Sequence, residues 1–171
     1  MAVITEAYRA LQQELYATTN YGVASLELAP LVKATMAEFG ARSLSDYGAG
    51  RQNLCKALQA AGLSFEYHPY DPAFPEYGEA RPADLVACID VLEHVEPECL
   101  RDVLDDLKRI TTTRGLFSVH TGPAMKTLSD GRNAHLNQQA PDWWRSELGA
   151  YFSVKRMKVT GETVVFLVEP G

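Results

Sequence analysis

"SLSDYGAGRQNL", Ser43 to Leu54, sets an acid two residues ahead of a Gly-x-Gly, at the end of a short run that reads as a strand over 42–47. Behind the glycines, Leu54, Ala57, Leu58 and Ala61 recur at helical spacing, and Gly62 closes that helix. A strand, a glycine turn and a helix in this order predict one unit of an open α/β sheet, where ligands sit at the carboxyl ends of the strands. Gly48 and Gly50 occupy that place. Without Cβ atoms the backbone can turn sharply there and approach a ligand closely. The helix N-terminus adds amide donors and a partial positive charge.

The same alternation continues on both sides. Tyr8, Leu11 and Leu15 mark a helix over 5–17, and "NYG", Asn20 to Gly22, breaks it. Pro30 suits the first turn of a second helix that carries Leu31, Thr35, Met36 and Phe39 on one face and stops at Gly40. "LSFEYHPYD" reads as a second strand ending at Asp71. "ADLVACIDVLEHV" holds a third, apolar from Leu85 to Ile89, as a strand covered on both faces of a parallel sheet must be. Leu100, Val103, Leu104, Leu107 and Ile110 predict an amphipathic helix, "GLFSVHT" a fourth strand, and "PDWWRSEL" the start of another helix. Strands over 151–159 and 162–168, with a tight turn at Thr160-Gly161, predict an antiparallel hairpin.

Length and composition bound the possibilities. The 171 residues allow one domain with a sizeable core, organised as N-terminal helices over 1–40 and a sheet-bearing core over 41–171. A net charge of −6 argues against extended nucleic-acid binding, which needs a basic face, while leaving a single nucleotide or base open as a substrate. Cys55, Cys88 and Cys99 lack C-x-x-C spacing and read as reduced and structural. The polar start, "MAVITEAYRALQQEL", does not read as a signal peptide, and no apolar run is long enough for a membrane span. A cytoplasmic location is the expectation. His68 and His120 make no metal-ligand spacing, so no metal is expected. The oligomeric state is not legible.

Two ligand classes compete for the glycine loop. A dinucleotide loop would place Gly or Ala at position 53, where this chain has Asn53, and its pyrophosphate would sit badly beside Asp46. S-adenosylmethionine has no phosphate. Asp46 can pair with its ammonium, loop amides can meet its carboxylate, and Asp71 can accept from both ribose hydroxyls. The acid ahead of the glycines favours the cationic ligand.

"SDYGAGRQNL", "YHPYDPAF" and "ADLVACIDVLEHV" together resemble the class I, Rossmann-like S-adenosylmethionine-dependent methyltransferases, over about residues 25–120. The first stretch is similar to the family's D-x-G-x-G-x-G, with Gln52 at the last, variable glycine. Asp71 is similar to the acid that closes its second strand, and "DVLEHV" to a form of its fourth-strand motif. "DGRNAHL", Asp130 to Leu136, followed by "WW", looks similar to a subset of small bacterial and phage-type members. The resemblance implies a mostly parallel sheet with a reversed last strand, and S-adenosylmethionine as cofactor. It places Asp46, Tyr47, Gly48, Ala49, Gly50, Asp71, Pro72, Asp90, Val91 and Leu92 at the cofactor.

One departure is large. Only residues 72–83 separate Asp71 from Asp84, where the family fits a helix and another strand, and a crossover with its helix needs at least ~10–12 residues. Six strands are therefore expected, in spatial order two, one, three, four, six, five, with the family's third strand missing. Adenine is then left to Pro72, Phe74 and Tyr77, or these aromatics simply pack the loop.

Acceptor chemistry points to residues 121–144, polar and dense at the functional end of the sheet. His135 has the intrinsic pKa of a general base. Arg132 and Asn133 can hydrogen-bond a polar acceptor, Trp143 can form a platform for it, and Tyr16 and Tyr21 can close over the site or simply pack. The plainer alternatives are a loop stapled to itself and, for Glu93 and His94, a turn cap. The acceptor class is a polar small molecule, sugar or nucleotide-like compound methylated on O or N. The competing activities are a catalytically inactive binding protein of the same fold and a nicotinamide-dependent oxidoreductase.

Overall fold

A computed structural model describes residues 2–171. Its strands are β1 (Ser43–Tyr47), β2 (Glu66–Tyr70), β3 (Leu85–Ile89), β4 (Gly115–His120), β5 (Phe152–Thr160) and β6 (Thr163–Pro170). They form one sheet in the order β2-β1-β3-β4-β6-β5. The first four run parallel, and β6 runs antiparallel between β4 and β5. The helices are α1 (Glu6–Thr18), α2 (Ala24–Phe39), α3 (Asn53–Ala60), α4 (Leu100–Ile110) and α5 (Pro141–Gly149).

Burial of β3 on both faces explains its composition. Leu85, Ala87 and Ile89 pack toward α2 and α3, against Val32, Met36, Leu54 and Leu58. The alternate residues Val86 and Cys88 pack toward α4 and α5, against Leu104, Leu107, Trp144 and Leu148. A strand between two helical layers has no solvated side and so no use for polar alternation. Each fully buried Leu, Val or Phe contributes roughly 1.5–3 kcal/mol of transfer free energy. The two layers thus hold the carboxyl ends of β1, β3 and β4 in a fixed array.

Residues 72–83 hold one short 3₁₀ turn, Pro75–Tyr77, and no strand. The short spacing after Asp71 predicted that, and β2 is the sheet edge as expected. The edge is five residues long and contains Pro69, whose nitrogen cannot donate to a further strand.

Two local expectations are corrected. α2 starts at Ala24, so Pro30 lies inside it and not in its first turn. Pro30 is exposed, so water can reach the Leu26 carbonyl that the missing N–H leaves free. The hairpin loop is Gly161-Glu162, one residue later than Thr160-Gly161, with Gly161 at φ +59°.

α1 belongs to neither layer. Tyr8 and Leu15 pack against Leu128 and Ala134 of the loop after β4. Thr5 anchors its start: its side chain accepts from the Tyr8 N–H, and its own N–H and hydroxyl donate to Glu96 at 2.8 and 2.7 Å. The helix therefore lies across the carboxyl ends of the strands and walls the cavity there.

Candidate active site

That cavity measures about 390 Å³. Gly48, Gly50, Asp46, Asp71, Asp90 and His135 all line it, with Tyr8, Gln12 and Tyr16 of α1 opposite. Gly48 sits at φ +86° and Gly50 at φ +50°. A Cβ on Gly48 would lie 2.3 Å from a Val91 methyl, and one on Gly50 2.6 Å from the Tyr16 hydroxyl. Both positions require glycine for conformation and for space.

The loop amides are used within the protein. The Gly48 and Ala49 N–H groups both donate to the Tyr70 carbonyl, at 2.7 and 2.9 Å. The Gly50 N–H donates to Asp71 Oδ2 at 2.9 Å, and the Ala73 N–H to Asp71 Oδ1 at 2.8 Å. These amides are therefore not free for a ligand carboxylate, contrary to the reading from sequence. Asp71 latches the glycine loop to the segment after β2, and each of its oxygens keeps lone-pair capacity for a hydroxyl. The Arg51 guanidinium ties the loop to α1 through the Tyr16 and Thr19 carbonyls.

Buried acids line this floor. Asp46 is 4% exposed and accepts from the Tyr67 hydroxyl at 2.6 Å. Burial raises its carboxyl from 3.8 to about 7, with Tyr67 opposing and Asp71 adding. Burial likewise raises Asp71 and Asp90. Asp90, just beyond β3, holds φ +52°, a left-handed conformation unusual for a side-chain-bearing residue. The Ser118 hydroxyl donates to its carboxylate at 2.5 Å.

Histidines gather at the other end. His135 Nδ1 lies 2.7 Å from the Gly122 carbonyl. A carbonyl only accepts, so Nδ1 carries the proton and Nε2 keeps a lone pair. His94 Nδ1 lies 2.8 Å from the Ala134 carbonyl and 2.9 Å from the Tyr21 hydroxyl, which assigns the same tautomer. Burial lowers both rings, His94 to about 3, so both are neutral near pH 7. The ring centroids are 4.6 Å apart. Glu93, with no exposed surface, accepts the His120 backbone N–H on Oε1 at 2.8 Å, while Oε2 has no partner among the described residues. Burial holds that carboxyl well above its ordinary range.

The structure brings most of the expected residues together, and not all. Ala49, Pro72, Val91 and Tyr21 line the cavity with the residues above. Tyr47 and Leu92 do not. Both point into the core, the Tyr47 hydroxyl donating to Asp106. Arg132 stays outside, paired with Asp130 at 2.7 Å. Asn133 braces the loop: its amide bonds both the N–H and the carbonyl of Ala124 and accepts the His135 N–H at 2.9 Å. Trp143 lies on α5 away from the cavity, against the buried Trp144. Phe74 and Tyr77 stack on each other, and the Tyr77 hydroxyl donates to the Gly50 carbonyl. They pack the loop instead of lining the cavity.

Sequence reading noted Glu93 and His94 with a turn cap as the plainer role, and Tyr16 and Tyr21 as a cover, but missed Tyr8 and Gln12 of α1 as wall residues. Gln12 is 7% exposed and its side-chain amide nitrogen has no partner among the described residues. Its only signal is a polar residue on the apolar face of α1.

A family model described as a methyltransferase domain matches residues 24–162. No curated protein matches the sequence. Among solved structures, 1,6-didemethyltoxoflavin-N1-methyltransferase of Burkholderia thailandensis, with bound 1,6-didemethyltoxoflavin and S-adenosylhomocysteine, aligns at TM-score 0.68 and 15% identity, over 99% of this chain and 91% of that one. DhpI, in complex with SAH, aligns at TM-score 0.61 and 16% identity, over 96% and 94%. An rRNA methylase from Escherichia coli aligns at TM-score 0.53 and 16% identity, over 100% and 79%. At these identities the likeness is one of fold.

Proposed function

Since the chain belongs to the methyltransferase-domain family and takes its methyl group from S-adenosylmethionine, we propose that it transfers this group to an oxygen or nitrogen of a polar small molecule, sugar or nucleotide-like acceptor. The acceptor enters between α1 and His135. Asp46 faces the donor's ammonium and Asp71 its ribose diol, with Pro72 and Ala73 beside the adenine. Asp90 and Val91 flank the methionine part. The sulfonium then lies between the acid floor and the histidines.

One observation carries this reading: the unprotonated Nε2 of a neutral histidine belongs to the same cavity as Asp46 and Asp71. Methyl transfer is an in-line displacement, in which alignment supplies much of the acceleration. The acceptor lone pair forms the new bond to carbon as the C–S bond breaks, and its electron pair stays on sulfur. His135 takes the proton that the acceptor gives up. The Gly122 carbonyl holds the ring and Asn133 the backbone N–H of His135 for that task. Among the described residues no helix is long and apolar enough to cross a membrane, and three buried free cysteines support a reducing, cytoplasmic setting.

The test has two measurements. S-adenosylhomocysteine should bind in a calorimetric titration, and a panel of hydroxyl and amine compounds should be screened for its release from S-adenosylmethionine. With the acceptor so found, His135→Ala should lower turnover by ~10²–10⁴ while product affinity stays unchanged. Full turnover in this variant would remove His135 from the chemistry.

A further inference from the structure

Proton removal by His135 uses one donor atom of a set of three. A carboxylate oxygen of Glu93, a ring nitrogen of His94 and a ring nitrogen of His135 all lie within 4.8 Å of one another. His94 and His135 come from segments 41 residues apart in the chain, so the loop after β4 must fold back over the end of β3 to place them together. We infer that Glu93, His94 and His135 form a binding site for one divalent first-row transition-metal ion, which holds a hydroxyl oxygen of the methyl acceptor. This rests on the methyltransferase reading of the same cavity and changes one step of it: with the ion bound, His135 is a ligand and no longer the proton acceptor.

Each residue is prepared for ligation. A metal-bound histidine characteristically donates its other ring N–H to a carbonyl or carboxylate, which fixes the tautomer and aims the lone pair. Both rings do this: His135 to Gly122 at 2.7 Å and His94 to Ala134 at 2.8 Å. Glu93, which burial keeps protonated without an ion, supplies the anion when a metal displaces that proton. Its Oε1 is held by the His120 backbone N–H, and its Oε2 is fully buried without any partner among the described residues. An unpartnered carboxylate oxygen in the interior is costly, and a cation beside it removes the cost. His120 is engaged elsewhere, 3.5 Å from Glu162, and is not a fourth ligand.

The geometry and donor types narrow the ion. Ligand bonds of about 2.0–2.2 Å set donor atoms roughly 3–3.6 Å apart, so side-chain rotations of about 1 Å close the set on an ion. Two imidazoles and a carboxylate suit manganese, iron, cobalt or zinc better than magnesium or calcium, which take oxygen ligands. Glu93 closes the site from behind, while His94 and His135 line the cavity. Free coordination positions therefore face the acceptor, as a catalytic site requires.

The ion narrows the acceptor to a hydroxyl. Coordination lowers the hydroxyl's pKa, and its proton leaves to solvent at the cavity mouth. The oxygen lone pair forms the O–CH₃ bond as the C–S bond breaks, leaving its electron pair on sulfur. With the ion present, the His135 lone pair is a ligand, and the ion takes over the part of the base.

Cobalt(II) is the probe, because its visible absorption reports imidazole coordination directly. Chelator-treated, full-length protein titrated with Co²⁺ should take up one equivalent and develop d–d bands. Glu93→Gln and His135→Ala should each weaken cobalt at least ~100-fold, since removing a ligand exceeds the 10–100-fold effect of a residue behind one. Both variants should still bind S-adenosylhomocysteine, which reports their folding. If Glu93→Gln does not fold, His135→Ala, on a loop, carries the comparison. Wild-type protein that binds S-adenosylhomocysteine but gives no cobalt bands overturns the metal site and leaves His135 as the base. Cobalt bound equally well by the folded variants also overturns it. Protein that binds neither probe overturns the methyltransferase reading as well.

Discussion

Asp46 should give the ligand-free protein a distinctive pH dependence. Its carboxyl is 4% exposed, accepts one hydrogen bond from Tyr67 and is raised from 3.8 to about 7, burial being the largest cause. In the unfolded chain it ionises at the ordinary value. Between these two values the folded protein keeps a proton that the unfolded chain has lost. The stability from this group is therefore complete below about pH 4, falls as pH rises, and levels off above about pH 7. Each tenfold difference is worth about 1.4 kcal/mol, so the full decline is about 4 kcal/mol. Asp46→Asn keeps the size and an acceptor for Tyr67 and cannot ionise. Urea unfolding of both proteins, without ligand or metal, should be run from about pH 4.5 to pH 8. The Asn variant should gain roughly 3 kcal/mol on wild type across that range. His94 acts in the opposite sense: its ring is lowered from 6.5 to about 3, so its contribution rises with pH over that window. It is common to both proteins and cancels in the difference. Because the donor's ammonium is proposed to face Asp46, S-adenosylmethionine should also bind wild type more tightly at pH 8 than at pH 6, and the variant with little change. A difference between the two stabilities that stays flat within about 1 kcal/mol refutes an uncompensated buried carboxylate at this position.

Asp71→Ala leaves the Gly50 and Ala73 amides without that acceptor and removes the proposed ribose contact; at about 1–3 kcal/mol for each orphaned donor, S-adenosylhomocysteine affinity should fall by well over tenfold, and an unchanged affinity in calorimetry of the folded variant would remove Asp71 from the cofactor site. Gly48→Ala puts a methyl 2.3 Å from a Val91 methyl at φ +86°; it should weaken cofactor binding and stability, and Val91→Ala should restore only part, because the backbone strain remains. Complete rescue in the double variant would show that the clash alone matters. Asn133→Ala removes the amide that holds Ala124 and the His135 N–H; turnover should fall and urea stability drop by about 1–3 kcal/mol, with S-adenosylhomocysteine affinity kept, whereas an equal loss of cofactor binding would show that the brace reaches the whole cavity.

The local units were legible in the chain. Period-two and period-3.6 patterns reflect which faces are buried, so the β1 turn, the apolar β3 run and the amphipathic α4 could be read directly. The missing strand was legible for a covalent reason: residues 72–83 are too few for a helix and a strand that must still return beside β1. The start of α2 was misread because Pro30, which suits a first turn, is tolerated here on an exposed side of the helix interior. Nothing local could show that.

Acids and glycines at the ends of β1 and β2 were visible as cofactor candidates because the strands themselves carry them to one edge of the sheet. The destinations of their hydrogen bonds were not visible. Tyr70 takes the loop amides, and Asp71 faces inward to Gly50 as well as toward the cavity. Arg132, Asn133 and Trp143 were equally plausible as acceptor contacts, and only the fold of the loop and the packing of α5 turned them to bracing or outward positions. Thus the sequence by itself determined the α/β units, the lost strand and the cofactor end of the site, because those follow from side-chain periodicity and chain length. The tertiary structure alone decided that Glu93, His94 and His135 meet, because contacts across 41 residues of chain are set by how α1 and the loop after β4 pack over the sheet, and no local pattern encodes that packing.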